Sequence, residues 1–309
     1  MQLAGLDLNL LIALDALFTE KSVTRAGARI NLSQSATSAA LSRLRQYFGD
    51  ELLVPVGNLM MLTPHAIGIQ EQVRDIILRA EAIARNKTAF VPATATRHFR
   101  LIMSDYPATV LMPAFLAHAQ KIAPSLTFEI LPLSDPESDA LERGEADLRV
   151  MPQQWISRRH PSEQLYEDRY VCVVWSGNTA VNRRFSRAEY LRTGHVGVRF
   201  PGRPFTVMEE WLFEQLGRRR RVEIVAPTFN LSAHLVIGTN RIATMHSWLA
   251  HQCITAGMPL KIVKAPIEMP HVVESMQWHQ YLDSDAGILW LRKLLKTTAS
   301  QRPRHAQRR

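Results

Sequence analysis

The most restrictive stretch of the sequence runs from Ser33 to Phe48. Ala36, Ala40, Leu44 and Phe48 recur every four residues, a spacing that aligns side chains on one face of an α-helix. Gln34, Ser35, Ser38, Ser42 and Arg45 fall on the other side. Ser33 stands where a helix would begin, and its hydroxyl can accept from a free backbone N–H. An outer face of small hydroxyls and one amide can approach another surface closely, whereas bulky side chains would hold the helix out of a DNA groove. Glutamine can pair with adenine, and serine can donate or accept at a base edge. Arg43 and Arg45, further along, are placed to meet phosphates.

The flanking residues frame this helix. Asp7 can cap a first helix whose apolar stripe is Leu10, Leu14, Leu17 and Phe18. Ser22 can cap a second, with Val23, Ala26 and Ile30 inward and small Ala26 and Gly27 allowing close approach. Asn31 and Leu32 leave room only for a tight turn. Residues 52–54, the pair Gly57-Asn58 and residues 60–62 then read as a small hairpin. Helix, tight turn, polar-faced helix and hairpin make a winged helix-turn-helix plan. On periodicity alone, a three-helix packing unit with a solvated third helix fits equally well.

Three motifs in order carry a resemblance. The run Leu32-Ser33-Gln34-Ser35-Ala36-Thr37-Ser38-Ala39-Ala40-Leu41-Ser42-Arg43-Leu44-Arg45 resembles the signature of LysR-type transcription regulators. So do Gly5-Leu6-Asp7-Leu8-Asn9-Leu10-Leu11 before it and Leu62-Thr63-Pro64 after it. The resemblance implies double-stranded promoter DNA as a partner. Its expected contacts are Ser33, Gln34, Ser35, Thr37, Ser38, Ser42, Arg43 and Arg45, with Asn58 from the hairpin. Two departures stand out. Ser35 sits where the family often has proline, and the hairpin tip at 54–59 lacks the family's basic residue. The helix is therefore expected to carry most of the specificity.

Composition agrees with this reading without deciding it. There are 37 Lys+Arg against 28 Asp+Glu, a formal net charge of +9, which fits a polyanionic partner. Part of the surplus lies in residues 301–309, expected to be a disordered basic tail. No apolar run approaches the roughly 20 residues that span a bilayer, and the N-terminus lacks a secretory pattern, so a cytoplasmic location is expected. Cys172 and Cys253 stand apart in apolar settings and read as buried, reduced thiols.

Residues 1–63 form the DNA-binding domain in this reading. Residues 64–91 follow as linker helix and hinge. Ala66, Ile69, Val73, Ile76, Ile77, Ala80, Ile83 and Ala84 make a narrow apolar seam between polar residues. In the family such a helix pairs two chains; packing on its own domain is the alternative. From 92 to 300 strands and helices alternate, which predicts parallel sheets with crossover helices. Strands are expected at 99–103, 126–131, 148–151, 170–175, 195–199, 222–226 and 241–245. A helix is expected from Pro107, and another opening at 134–136.

The segment resembles the two-lobed, periplasmic-binding-protein-like effector domain of LysR regulators. Lobe I would take 97–166 and 274–300, and lobe II 167–273. Residues 97–101, 195–198 and 277–279 resemble a branch holding NodD-type nodulation regulators and salicylate- and nitroarene-responsive regulators. That branch usually has Asp-Pro where this chain has Asp285-Ala286.

Ligands in open α/β sheets bind beyond the carboxyl ends of strands. That rule selects Ser104, Tyr106 and Ser134 in one lobe. It selects Arg203, Phe205, Phe229, Ser232 and His246 in the other. Aromatic walls with a few polar groups suit a planar aromatic effector. Arg149 interrupts an apolar strand, so it either binds an acidic effector or pairs internally with an acidic neighbour. Arg218 to Arg221 follow Gly217 and read as a solvated loop at a helix end.

No phosphate-binding glycine loop, nucleophile elbow or zinc-ligand motif stands out. The expectation is a non-enzymatic regulator without cofactor, controlled by a small co-inducer. The family resemblance implies dimers and tetramers, RNA polymerase as partner, and activation or repression. A solute-binding protein, or an enzyme carrying a DNA-binding module, are the competing readings.

Overall fold

The computed structural model describes residues 6–57, 59–85, 90–133, 140–181, 185–204 and 207–301. They divide between two compact units, one ending at Thr88 and one beginning at Ala89.

The first unit opens with α1 (Leu8–Glu20), α2 (Val23–Arg29) and α3 (Gln34–Phe48). Each begins on the expected cap. Asp7 Oδ1 accepts from Leu10 N at 2.8 Å, Ser22 Oγ from Arg25 N at 3.4 Å, and Ser33 Oγ from Ala36 N at 3.2 Å. Gly49, with φ +62°, ends α3 in the left-handed conformation. Gly27 sets the α2–α3 approach: a Cβ there would sit 2.8 Å from both Leu32 O and Thr37 Oγ1. The core holds Leu14, Leu17, Phe18, Ala26, Leu44, Leu52 and Leu53.

The hairpin is β1 (Leu53–Val56) paired antiparallel with β2 (Leu59–Leu62). Then α4 (Pro64–Arg85) starts with Thr63 Oγ1 accepting from Ala66 N at 3.1 Å. Its apolar seam divides. Ala66, Ile69, Val73 and Ile77 pack into this unit's own core, and Arg74 is tied to Asp15 at 2.8 Å. Ile76 and Ile83, seven residues apart, are exposed.

The second unit contains one sheet in the order β4-β3-β5-β11-β6-β9-β7-β8, with β10 added on β6. In chain order the strands are β3 (His98–Met103), β4 (Thr127–Leu131), β5 (Leu148–Pro152) and β6 (Ser162–Trp175). They continue with β7 (Gly194–Val198), β8 (Arg221–Ala226), β9 (Ile242–His246), β10 (Leu260–Val263) and β11 (His271–Gln277). The helices are α5 (Asp105–Val110), α6 (Met112–Ile122), α7 (Arg187–Arg192), α8 (Val207–Leu216), α9 (Phe229–Leu235), α10 (Ser247–Thr255) and α11 (Ala286–Ser300).

β6 runs through both lobes. Its first half lies beside β11, and its second half beside β9 and β10. β3, β4 and β5 are parallel, as are β7, β8 and β9. The expectation of parallel sheets is corrected at β6 and β11, which run antiparallel to their neighbours. A pair of strands that leaves one lobe and returns must run in both directions.

The helix expected from Pro107 is two helices broken at Leu111, with Pro113 in the first turn of the second. The helix expected at 134–136 lies outside the described residues. Asp285 Oδ1 caps α11 through Ile288 N at 2.9 Å and takes Arg97 Nη1 at 2.6 Å. Both cysteines are free and buried.

The arginine run is not one solvated loop. Arg218 and Arg219 are exposed, but Arg220 is buried and donates to Thr244 Oγ1 at 2.6 Å and Tyr190 OH at 3.0 Å. Beside it, burial and the Arg220 charge push the His195 imidazole down to about 3.

Candidate DNA interface and interlobe site

On α3, Gln34, Ser35, Ser38, Ser42 and Arg43 are exposed, so the expected outer face exists. The inward stripe is turned by one residue. Thr37, Leu41 and Leu44 are buried, and Ala36 is exposed. Thr37 is therefore corrected: its Oγ1 donates to Ser33 O at 3.0 Å beneath the helix, packed against Gly27. Arg45 is corrected as well. Nε donates to Glu51 O and Nη2 to Leu53 O, both at 2.8 Å, so it braces the hairpin against α3. Arg43 lies 3.8 Å from Asp7 and is largely exposed, which leaves it free to swing to a phosphate. Ser33 is exposed, and its hydroxyl lies 3.0 Å from Ser35 Oγ. Asn58 lies outside the described residues. The hairpin residues beside it, Val56 and Leu59, are exposed apolar side chains.

The second unit gathers its chemistry between the lobes. Tyr106, at the start of α5 in lobe I, stacks on His246, at the end of β9 in lobe II. Their ring centroids are 3.6 Å apart and the planes 3° from parallel. Tyr106 OH donates to Asp168 Oδ2 at 2.7 Å. The same carboxyl group accepts from Trp248 N at 3.1 Å and from the Ser247 hydroxyl, closing the start of α10. Asp105 does likewise for α9, accepting from Phe229 N at 3.1 Å and Asn230 N at 2.7 Å. Two acidic side chains thus fasten lobe I and the crossing strand to helix starts in lobe II.

The rings continue outward. Phe229 meets His246 edge-on at 4.6 Å, Phe200 lies 6.0 Å from Phe229, and Trp155 lies 5.9 Å from Phe200. The Arg203 guanidinium covers Trp155 at 4.4 Å, a contact from lobe II to lobe I. Tyr166 and Trp248 stack at 4.8 Å beside Tyr106, and Tyr170 lies 4.6 Å from His246.

The polar groups here are buried. Burial alone pushes the His246 imidazole down to about 3, so it is neutral near pH 7. Burial, reinforced by Asp168, pushes the Glu274 carboxyl up to about 8. Both His246 nitrogens and Glu274 Oε2 have no hydrogen-bond partner among the described residues.

Tyr106, Phe229, His246 and Arg203 therefore lie along one run of ring contacts. Ser104 stands half-buried at the end of β3, and its side chain makes no capping bond. Ser232 is corrected, because its hydroxyl is buried and donates to Phe229 O at 2.7 Å within the helix. Arg149 is not with the others. Its rung on the β11 ladder is three residues, about 10 Å, from that of Glu274. Among its described contacts, Nε donates to the amide oxygen of Gln277 at 2.9 Å, so the guanidinium is held internally. Ser134 and Phe205 lie outside the described residues. Asp168, Glu274, Tyr166 and Tyr170 were not foreseen. Glu274 carried a readable signal, a charge inside an apolar strand, the same kind that drew attention to Arg149.

A polar-faced helix beside a hairpin, joined in one chain to two lobes that close on an aromatic and polar cluster, defines a ligand-responsive DNA-binding regulator. Residues 8–67 match the bacterial regulatory helix-turn-helix protein, lysR family, and residues 93–300 match the LysR substrate binding domain. The chain is 39% identical over 300 residues to Nodulation protein D 2 of Rhizobium tropici, covering 97% of this chain and 95% of the relative. A probable transcriptional regulator of Pseudomonas aeruginosa is similar in structure, with 27% identity and a TM-score of 0.64 over 94% of this chain and 97% of that one. Full-length CbnR complexed with its target DNA shares the fold, with a TM-score of 0.59 at 13% identity over 95% of this chain and 100% of that one. The chain belongs to the LysR family of transcriptional regulators. It is a DNA-binding regulator with a small-molecule effector domain.

Proposed function

We propose that the interlobe cluster receives a planar aromatic effector, a flavonoid or an aromatic acid, and that its binding alters transcription from promoter DNA held by α3. The observation behind this is the unbroken run of rings from Tyr106 through His246, Phe229 and Phe200 to Trp155, beside which both His246 nitrogens and Glu274 Oε2 have no hydrogen-bond partner among the described residues. Flat apolar walls match a π-system, and unsatisfied polar groups match its hydroxyl or carboxyl substituents. The effector acts by preferring one arrangement of the lobes over another. The likeness to a nodulation protein supports a nodulation role.

Ile76 and Ile83, exposed one heptad apart on α4, support pairing with a second copy and so a dimer that reads a split site. Tetramers, contact with RNA polymerase, a cytoplasmic location and action without turnover complete the proposal. The test is titration of tryptophan fluorescence with a flavone and, separately, with salicylate. Trp155 and Trp248 stand within the cluster. A saturable change that weakens at least about tenfold in His246→Phe supports the reading. No saturable change with either class up to about 1 mM contradicts it.

A further inference from the structure

At the end of lobe I remote from the cleft, three segments bring together Glu142, His160 and His279. Glu142 lies in the turn before β5, His160 just before β6, and His279 just after β11. One ligand atom from each lies within 4.8 Å of the others, and the two imidazole centroids are 4.4 Å apart. His160 and His279 are buried, whereas Glu142 is partly exposed. His160 Nε2 approaches Glu142 Oε2 to 3.0 Å, but off the line of a hydrogen bond. Both His160 nitrogens are thus buried without a hydrogen-bond partner among the described residues.

We propose that Glu142, His160 and His279 form a divalent metal site that takes Zn²⁺, with solvent in the fourth position on the exposed Glu142 side. Two imidazoles and one carboxylate are an ordinary donor set for this ion. Bonds of roughly 2.0–2.2 Å place tetrahedral ligands about 3.3 Å apart, so closing the cluster needs small movements, with most freedom at Glu142. An ion would satisfy the buried His160 ring, which an off-line carboxylate contact does not. One short network supports the loop. The Arg149 guanidinium holds Gln277 Oε1, which turns the Gln277 amide nitrogen toward His160 O at 3.0 Å and Ser157 O at 2.6 Å. That gives Arg149 a positioning role outside the effector cleft. The site has one internal cost: His279 Nδ1 accepts from Tyr281 N at 3.3 Å, a long bond lost if the metal requires a proton on that nitrogen.

The site would pin three connections of lobe I together independently of the effector. The test uses untagged full-length protein, stripped with a chelator and desalted. It is titrated with Zn²⁺ in competition with a chromophoric chelator, and with Co²⁺ to read its visible absorption. The expected result is one Zn²⁺ per chain, tighter than about 1 µM. Affinity should fall about a hundredfold in Glu142→Gln and be lost in His160→Asn, while His118→Asn stays unchanged. Glu142→Gln, at a partly exposed position, decides the matter if the histidine variant does not fold. A wild-type protein without a stoichiometric site, or variants whose titrations superimpose on wild type, overturns the proposal.

Discussion

The outer face of α3 and the cluster between the lobes treat polar side chains in opposite ways. On α3, Gln34, Ser35, Ser38 and Ser42 are exposed and bear no part of the core. Between the lobes, Asp168, Glu274 and His246 are nearly inaccessible and packed among rings. The first arrangement leaves hydrogen-bonding capacity for a partner at little cost in stability. The second builds capacity into the interior, where Asp168 is satisfied by neighbours while, among the described residues, both His246 nitrogens and Glu274 Oε2 have no hydrogen-bond partner. On the proposed function, one region would recognise by presenting groups, the other by withholding partners from them.

The largest expected effect comes from breaking the satisfied part of the interior. Asp168→Ala leaves the donors of Tyr106, Ser247 and Trp248 without their acceptor. It should destabilise the ligand-binding unit by about 3 kcal/mol. All six tryptophans lie in that unit, so urea unfolding followed by tryptophan fluorescence reads it selectively. Ser42→Ala on α3 should leave the same transition within about 0.5 kcal/mol of wild type.

Acid–base behaviour sharpens the contrast. The Glu274 carboxyl is raised from 4.5 to about 8, so the folded state holds a proton that the unfolded state releases. Its contribution is complete below pH 4.5 and is lost as pH rises toward 8. The His246 imidazole is lowered from 6.5 to about 3, so its contribution has the opposite sign and grows from pH 3 to 6.5. Above pH 6.5 Glu274 acts without that opposition. Stability should then decline by at most about 1.4 kcal/mol per pH unit up to pH 8. Glu274→Gln should flatten this slope in urea titrations at pH 6.5, 7.25 and 8.

Neighbouring positions on α3 separate presentation from support. Ser38→Ala should weaken specific duplex binding by about 1–2 kcal/mol without changing stability. Thr37→Val should cost about 1 kcal/mol of stability through its bond to Ser33 O, with duplex affinity per folded molecule unchanged. Melting curves and fluorescence anisotropy on the same preparations distinguish them. A change of opposite sign is the most telling. His246→Phe removes unsatisfied nitrogens and should raise stability by about 1 kcal/mol while effector affinity falls.

The helix-turn-helix was legible because its signals are local. Asp7, Ser22 and Ser33 cap their helices within three residues, and the apolar spacing lies inside single elements. The error of one residue on α3 arose where Ala36, Thr37, Ala39 and Ala40 offer small side chains on every side. The role of Arg45 had no local sign, since its acceptors are Glu51 O, before the hairpin, and Leu53 O, at the hairpin's start. In the interlobe cluster, Tyr106, Phe229 and His246 were legible as residues at strand ends. Asp168, Tyr166 and Tyr170 were not, because β6 begins in a polar run without an apolar stripe, and its partner β11 lies about a hundred residues later.

The most direct measurement is binding of the full-length protein to duplex from the intergenic region upstream of its own gene, set against random duplex of equal length, with salt varied. Affinity should exceed that for random duplex by about a thousandfold and fall steeply as salt rises. Ser38→Ala should erode the preference without removing the salt slope. Equal affinity for both duplexes would contradict the assignment of the exposed α3 face as the surface that reads sequence.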